Sequence, residues 1–83
     1  MKLNKNLTVS ETGFIFNPST GDSFSANTIG AEVLNLLKEG QGIEEIKKNL
    51  TDRYDVEKTV LEKDIDDFIV LLRDNNLLQY EQR

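Results

Sequence analysis

Two tight-turn signals, ending at Gly13 and Gly21, restrict the first third of the chain to a meander of short strands. Ser10-Glu11-Thr12-Gly13 suits a type I turn closed by a glycine at positive φ. In Asn17-Pro18-Ser19-Thr20-Gly21, Asn suits the first turn position and Pro pre-sets φ at the next. Gly21 supplies the left-handed residue that returns the chain. The segments around these turns read as strands. Leu7 and Val9 alternate with Thr8 and Ser10, Phe14-Ile15-Phe16 has high β-propensity, and Asp22 to Ala26 places Phe24 inward with Ser23 and Ser25 outward. Three such strands make a sheet too small to stand alone, so helices must cover one face.

The rest of the sequence supplies them. Asn27 or Thr28 caps a first helix that carries Ile29, Val33, Leu34, Leu36 and Leu37 at helical spacing and stops at Gly40. Ile43, Ile46, Leu50 and Tyr54 mark a second, shorter helix, with Glu44 and Glu45 in its first turn and Arg53 near its end, as the helix dipole favours. Asp55 is the expected cap of a third helix running to about Asp74, with Leu61, Ile65, Phe68 and Leu72 as its apolar stripe. Asn75 or Asn76 provides the left-handed stop, and Leu77-Leu78 folds back onto the core. The expected order is β-β-β-α-α-α, an α+β domain, with Met1 to Asn6 and Tyr80 to Arg83 frayed.

Composition narrows the chemistry. At 83 residues the chain is one domain with a thin core. It has no Cys and no His, which removes thiolate nucleophiles, disulfides, the commonest metal ligands and the commonest general base. Ten basic residues are scattered among fifteen acids, for a net charge of −5, which opposes binding to nucleic acid or to anionic membranes. Met1 to Ser10 lacks the apolar run of a signal peptide, so the expected location is the cytosol.

Two enzyme-like readings fail on context. Asp64 and Asp67 share a helix face and could form an acid pair, but nothing nearby suggests the dry pocket such a pair needs. The triplet Asp22-Ser23-Phe24 is similar to the modification site of acyl carrier proteins. There the serine opens a helix; here it follows a turn within a strand pattern.

A binding reading fits better. Val60 and Leu71 lie on one flank of the third helix beside Asp64 and Asp67, so its apolar arc is wider than a core stripe requires. The third strand is an edge strand, and Ser23, Ser25 and Ala26 do nothing to block it. An open edge beside an amphipathic helix is the setting for strand addition by an extended peptide.

The residues then resemble a family. The run Phe14-Ile15-Phe16-Asn17-Pro18, followed by Thr20-Gly21-Asp22-Ser23-Phe24 and Asn27, is similar to the PqqD family. So are Val33-Leu34-Asn35-Leu36-Leu37-Lys38-Glu39-Gly40, Glu44-Glu45-Ile46, Leu50, Tyr54-Asp55, Asp64-Ile65, Phe68 and Leu71-Leu72. The resemblance covers about Leu7 to Leu78 and rests on many loosely spaced positions. It implies a winged helix-turn-helix fold that binds the leader of a ribosomally made precursor peptide and presents it to a maturation enzyme, often a radical S-adenosylmethionine enzyme. Founding members serve biosynthesis of the quinone cofactor PQQ. The resemblance implies pairing at Asp22, Ser23, Phe24, Ser25 and Ala26, and contacts from Val60, Asp64, Asp67, Phe68 and Leu71. Its apolar groups would seat leader anchors and its acids would meet a basic leader residue. Ser25 departs from many relatives, which place a larger residue there. No cofactor, metal or catalytic residue is expected. The competing readings are a winged-helix DNA-binding regulator and a protein adaptor without a leader.

Overall fold

The computed structural model describes residues 2–79. The elements run β1 (Lys2–Leu3), β2 (Thr8–Val9), β3 (Phe14–Asn17), β4 (Asp22–Ser25), α1 (Thr28–Lys38), α2 (Ile43–Arg53), α3 (Lys58–Asp74) and β5 (Leu78–Gln79). Strands β2, β3 and β4 form the antiparallel meander in that order, leaving β4 at one edge. The three helices follow it, so the fold is α+β. The meander is the wing of a winged helix-turn-helix whose helix pair is α2 and α3.

The turns form as their residues require. Gly13 sits at φ +92°, and a side chain there would be strained twice over. A Cβ on Gly13 would lie 2.9 Å from the Ala31 Cβ, so the first hairpin can press onto α1 only without one. Asn27 caps α1, its Oδ1 accepting the Gly30 N–H at 2.8 Å. Helices α1 and α3 end alike. Gln41 N–H donates to Leu36 O and Gly40 N–H to Leu37 O; Leu77 N–H donates to Leu72 O and Asn76 N–H to Arg73 O, with Asn76 at φ +59°. Each pair of bonds closes a Schellman motif that satisfies carbonyls the helix leaves open.

The start of α3 and the fate of the N-terminal segment differ from the sequence expectation. Asp55 does not cap the helix; Glu57 occupies the cap position and α3 starts at Lys58. Tyr54 leaves α2 in an extended conformation with its ring packed against the core, so the backbone is still crossing between helices at residue 55. Within the segment from Met1 to Asn6, expected to fray, Lys2–Leu3 instead form β1. Lys2 pairs with Gln79 and Leu3 with Leu78, and Asn4 N–H donates to Leu77 O at 2.8 Å. Met1 and the expected frayed end from Tyr80 to Arg83 lie outside the described residues.

The core lies between the inner sheet face and the helices. Ile15 enters it from β3, Val33, Leu34, Leu36 and Leu37 from α1, Ile46 and Leu50 from α2, and Leu61, Ile65 and Leu72 from α3. Leu77 seals the end where β5 begins. No polar or charged side chain is buried among the described residues. Two ion pairs tie α2 to its neighbours at the surface. Arg53 meets Glu32 of α1, and Lys47 Nζ lies 2.9 Å from Asp66 Oδ1 of α3. The hydrogen bond that Lys47 donates to Asp66 raises the Lys47 pKa above its ordinary value.

Candidate functional site

Alternation along β4 decides what its edge offers. Ala26 N–H donates to Gly13 O at 2.9 Å, and Ile15 pairs with Phe24. In an antiparallel ladder the hydrogen-bonded pairs alternate with non-bonded ones. Asp22, Phe24 and Ala26 therefore turn their backbone groups toward β3, and Ser23 and Ser25 turn theirs away. The N–H and C=O of both serines face the open edge. Among the described residues no hydrogen bond occupies them.

Near the end of β4, between the first turn of α1 and α3, lies a cleft of about 270 Å³ lined by Asn27, Ile29, Gly30, Asp64 and Phe68. Its floor depends on Gly30. A Cβ there would lie 2.8 Å from the Ala26 Cβ and 3.0 Å from Cε1 of Phe68. The missing side chain lets the first turn of α1 approach both the end of β4 and the Phe68 ring.

The expected site residues fall into three groups. Phe24 is half-buried and packs against the core beneath the edge, and Ala26 packs beside Gly30, while Asp22, Ser23 and Ser25 are exposed. Asp64 and Phe68 line the cleft itself. Val60, Asp67 and Leu71 do not line it, but they share one stripe of α3 with Asp64, since steps of three and four residues keep a helical face. Val60 and Leu71 are 53% and 47% exposed, so this flank is apolar surface outside the core. Phe68 is half-buried at the cleft, unlike the fully buried Ile65 and Leu72 of the same helix. It belongs to the rim as well as to the stripe.

The two acids of this face are not equivalent. Lys63 Nζ sits 2.8 Å from Asp67 Oδ2, and that hydrogen bond raises the Lys63 pKa. Asp64 has no ion pair among the described residues and stands at the cleft, where it can meet a cation. The difference is legible in the four-residue step from Lys63 to Asp67, which puts opposite charges on one helix face. The sequence marks Asn27 as a cap and family-matching position and Ile29 as a helix residue, and nothing in its pattern singles out Gly30. Their second role as cleft wall comes from where α1 begins.

A wider concavity, about 930 Å³, lies elsewhere, between the N-terminal segment and the end of α1. Both residues of β1 line it together with Val9 of β2, and Lys38 Nζ donates to Val9 O at 3.3 Å. That contact occupies the carbonyl an incoming strand would need. No group of three or more metal-ligating side chains is gathered among the described residues, and no helix among them is long and apolar enough to cross a membrane.

A wing with one open edge, an exposed apolar helical flank and a cleft near the end of that edge define a winged helix-turn-helix domain equipped to hold an extended segment. The chain belongs to the PqqD family: the family model described as coenzyme PQQ synthesis protein D (PqqD) matches residues 12–78. Two solved structures share its fold. One is TbiB1 in complex with the TbiA(beta) leader peptide, 26% identical, with a TM-score of 0.87 and 100% of both chains covered. The other is lasso peptide synthetase B1 complexed with the leader peptide, 23% identical, with a TM-score of 0.81 and coverage of 95% of this chain and 96% of that one. No curated protein sequence matches the chain significantly.

Proposed function

We propose that this protein is a leader-recognition module. It binds the leader of a ribosomally made precursor peptide as an added strand on β4 and presents it to a modifying enzyme. The observation that carries this reading is the pair of outward-facing serines. Ser23 and Ser25 offer two donors and two acceptors in strand geometry, and the Asp64–Phe68 cleft lies alongside to take the side chains that point inward. Membership of the PqqD family and the similarity to a leader-bound TbiB1 support it. In this reading Asp22 to Ala26 pair with the leader, Phe68, Val60 and Leu71 seat its apolar anchors, and Asp64 meets a basic residue.

The protein itself supplies affinity and position, and the modifying enzyme supplies the chemistry. That enzyme is a radical S-adenosylmethionine enzyme or another peptide-maturation enzyme, acting in the cytosol. A net charge of −5 favours this over a DNA-binding winged helix.

The test is an amide-shift titration of isotope-labelled protein with synthetic leader peptides encoded beside its gene. The expected result is large shifts and slowed exchange at the Ser23 and Ser25 amides, with shifts at Asp64 and Phe68 and little dependence on salt. Shifts confined to α2, growing steeply weaker with salt on addition of duplex DNA, would point to the regulator instead.

A further inference from the structure

The sheet has a second face, and it is not polar. Phe14 and Phe16 point away from the core and are 45% and 38% exposed. Their neighbours across the strand are Ser25 and Ser23. Both pairs are non-hydrogen-bonded, the arrangement in which opposing side chains stand closest, with Cα atoms about 4.5 Å apart. Each ring therefore borders a side chain too short to cover it, and the flank turned toward the open edge stays bare.

An added strand would lie two strand spacings from β3, about 9.6 Å. Large side chains on strands that far apart meet only when the residue between them is small. Ser23 and Ser25 meet that condition. The leader residues opposite them project onto this outer face, whereas those opposite Phe24 project onto the inner face, the side on which the cleft lies.

We infer that Phe14 and Phe16 form a second subsite for the same peptide, selecting a large apolar or aromatic side chain at the leader positions opposite Ser23 and Ser25. This rests on the strand-addition reading and deepens it: the bound segment is apolar at successive positions, on both faces, and not only at alternate ones. The occupant is the peptide and not a second protein. Two rings at these exposures offer about 170 Å², against about 800 Å² per partner in a stable protein interface. The patch is also continuous with the edge where the peptide pairs.

The test selects binders from a displayed library of random twelve-residue peptides, on the full-length protein and on a Phe14→Thr/Phe16→Thr double variant. Threonine keeps strand propensity while removing the rings. Exchange protection at Ser23 and Ser25 assigns the register of each selected peptide. The expected result is apolar enrichment at both sets of positions for the native protein and at the cleft-facing set alone for the variant. The best native-selected peptide should bind the variant about tenfold more weakly, and a Phe14→Leu/Phe16→Leu variant should recover most of the loss. Equal affinity and unchanged outward preference in the Thr variant would overturn the subsite. Selected peptides that leave the Ser23 and Ser25 amides unprotected would instead overturn strand addition itself, and the subsite with it.

Discussion

The two edges of the meander carry the same backbone chemistry and opposite fates. At β4, Ser23 and Ser25 present their N–H and C=O groups with short side chains that obstruct nothing. At β2 the exposed groups belong to Val9, which pairs with Ile15 in a non-bonded pair. Here Lys38 donates to the Val9 carbonyl, and the Asn35 side chain donates to the Glu11 carbonyl just beyond. Strand β2 is also only two residues long. A short edge with a lysine laid on its acceptor is a protected edge, and a four-residue strand whose two outward-facing residues are serines is an available one. Orientation of a small binding module therefore does not need a deep pocket. It needs one edge closed and the other left open.

Proline probes this difference most sharply. Ser25→Pro or Ser23→Pro removes an outward donor without touching the ladder to β3. Either should weaken leader binding by about a hundredfold or more, with a near-native thermal midpoint. Val9→Pro removes the corresponding donor on the opposite edge and should change binding less than twofold. Calorimetric titration of the three variants with one leader peptide checks both arms. Equal losses at the two edges would erase the distinction.

A smaller effect is expected from Gly30→Ala, which leaves both edges intact and alters only the cleft beside β4. Alanine gains about 1 kcal/mol of helix propensity over glycine, while overpacking costs about 1–3 kcal/mol. With contacts at 2.8 and 3.0 Å against Ala26 and Phe68, overpacking outweighs the gain. The expected outcome is a melting temperature lowered by a few degrees and leader affinity reduced about tenfold, as the Phe68 ring turns into the cleft. Unchanged affinity would show that the inward leader side chains do not use that space.

The smallest expected difference separates the two aspartates. Asp64→Asn should cost about threefold in affinity for a leader carrying a basic residue, an effect that fades with added salt. Asp67→Asn should cost less, because its charge is already met by Lys63. Matched titrations at low and high salt measure the difference. A larger loss at Asp67 would reverse the assignment and place the leader's cation further along α3.

Much of this was legible before any coordinates. Gly13, Gly21, Gly40 and Asn76 all take the positive φ that their turn and cap contexts call for. The apolar spacing of Val33, Leu34, Ile46, Leu50, Leu61, Ile65 and Leu72 marks the buried faces of the three helices. Phe24 and the serines alternate as the strand period demands. These features are local: each depends on residues within a few positions of one another, and the backbone's narrow choice of conformations does the rest.

Tertiary structure decided what local rules cannot reach. Phe14-Ile15-Phe16 reads as an apolar strand either way up, and only its register against Phe24 and its packing on α1 send Ile15 inward and leave both rings outside. The pairing of Lys2–Leu3 with Leu78–Gln79 joins the two ends of the described chain through two residues on each side, too few to leave a pattern in either segment. The cleft exists because Gly30 brings α1 close to Phe68, a contact between residues far apart in the chain. Local sequence thus determined which elements form and where they stop. The long-range fit of side chains determined which edge stays open and what lies beside it.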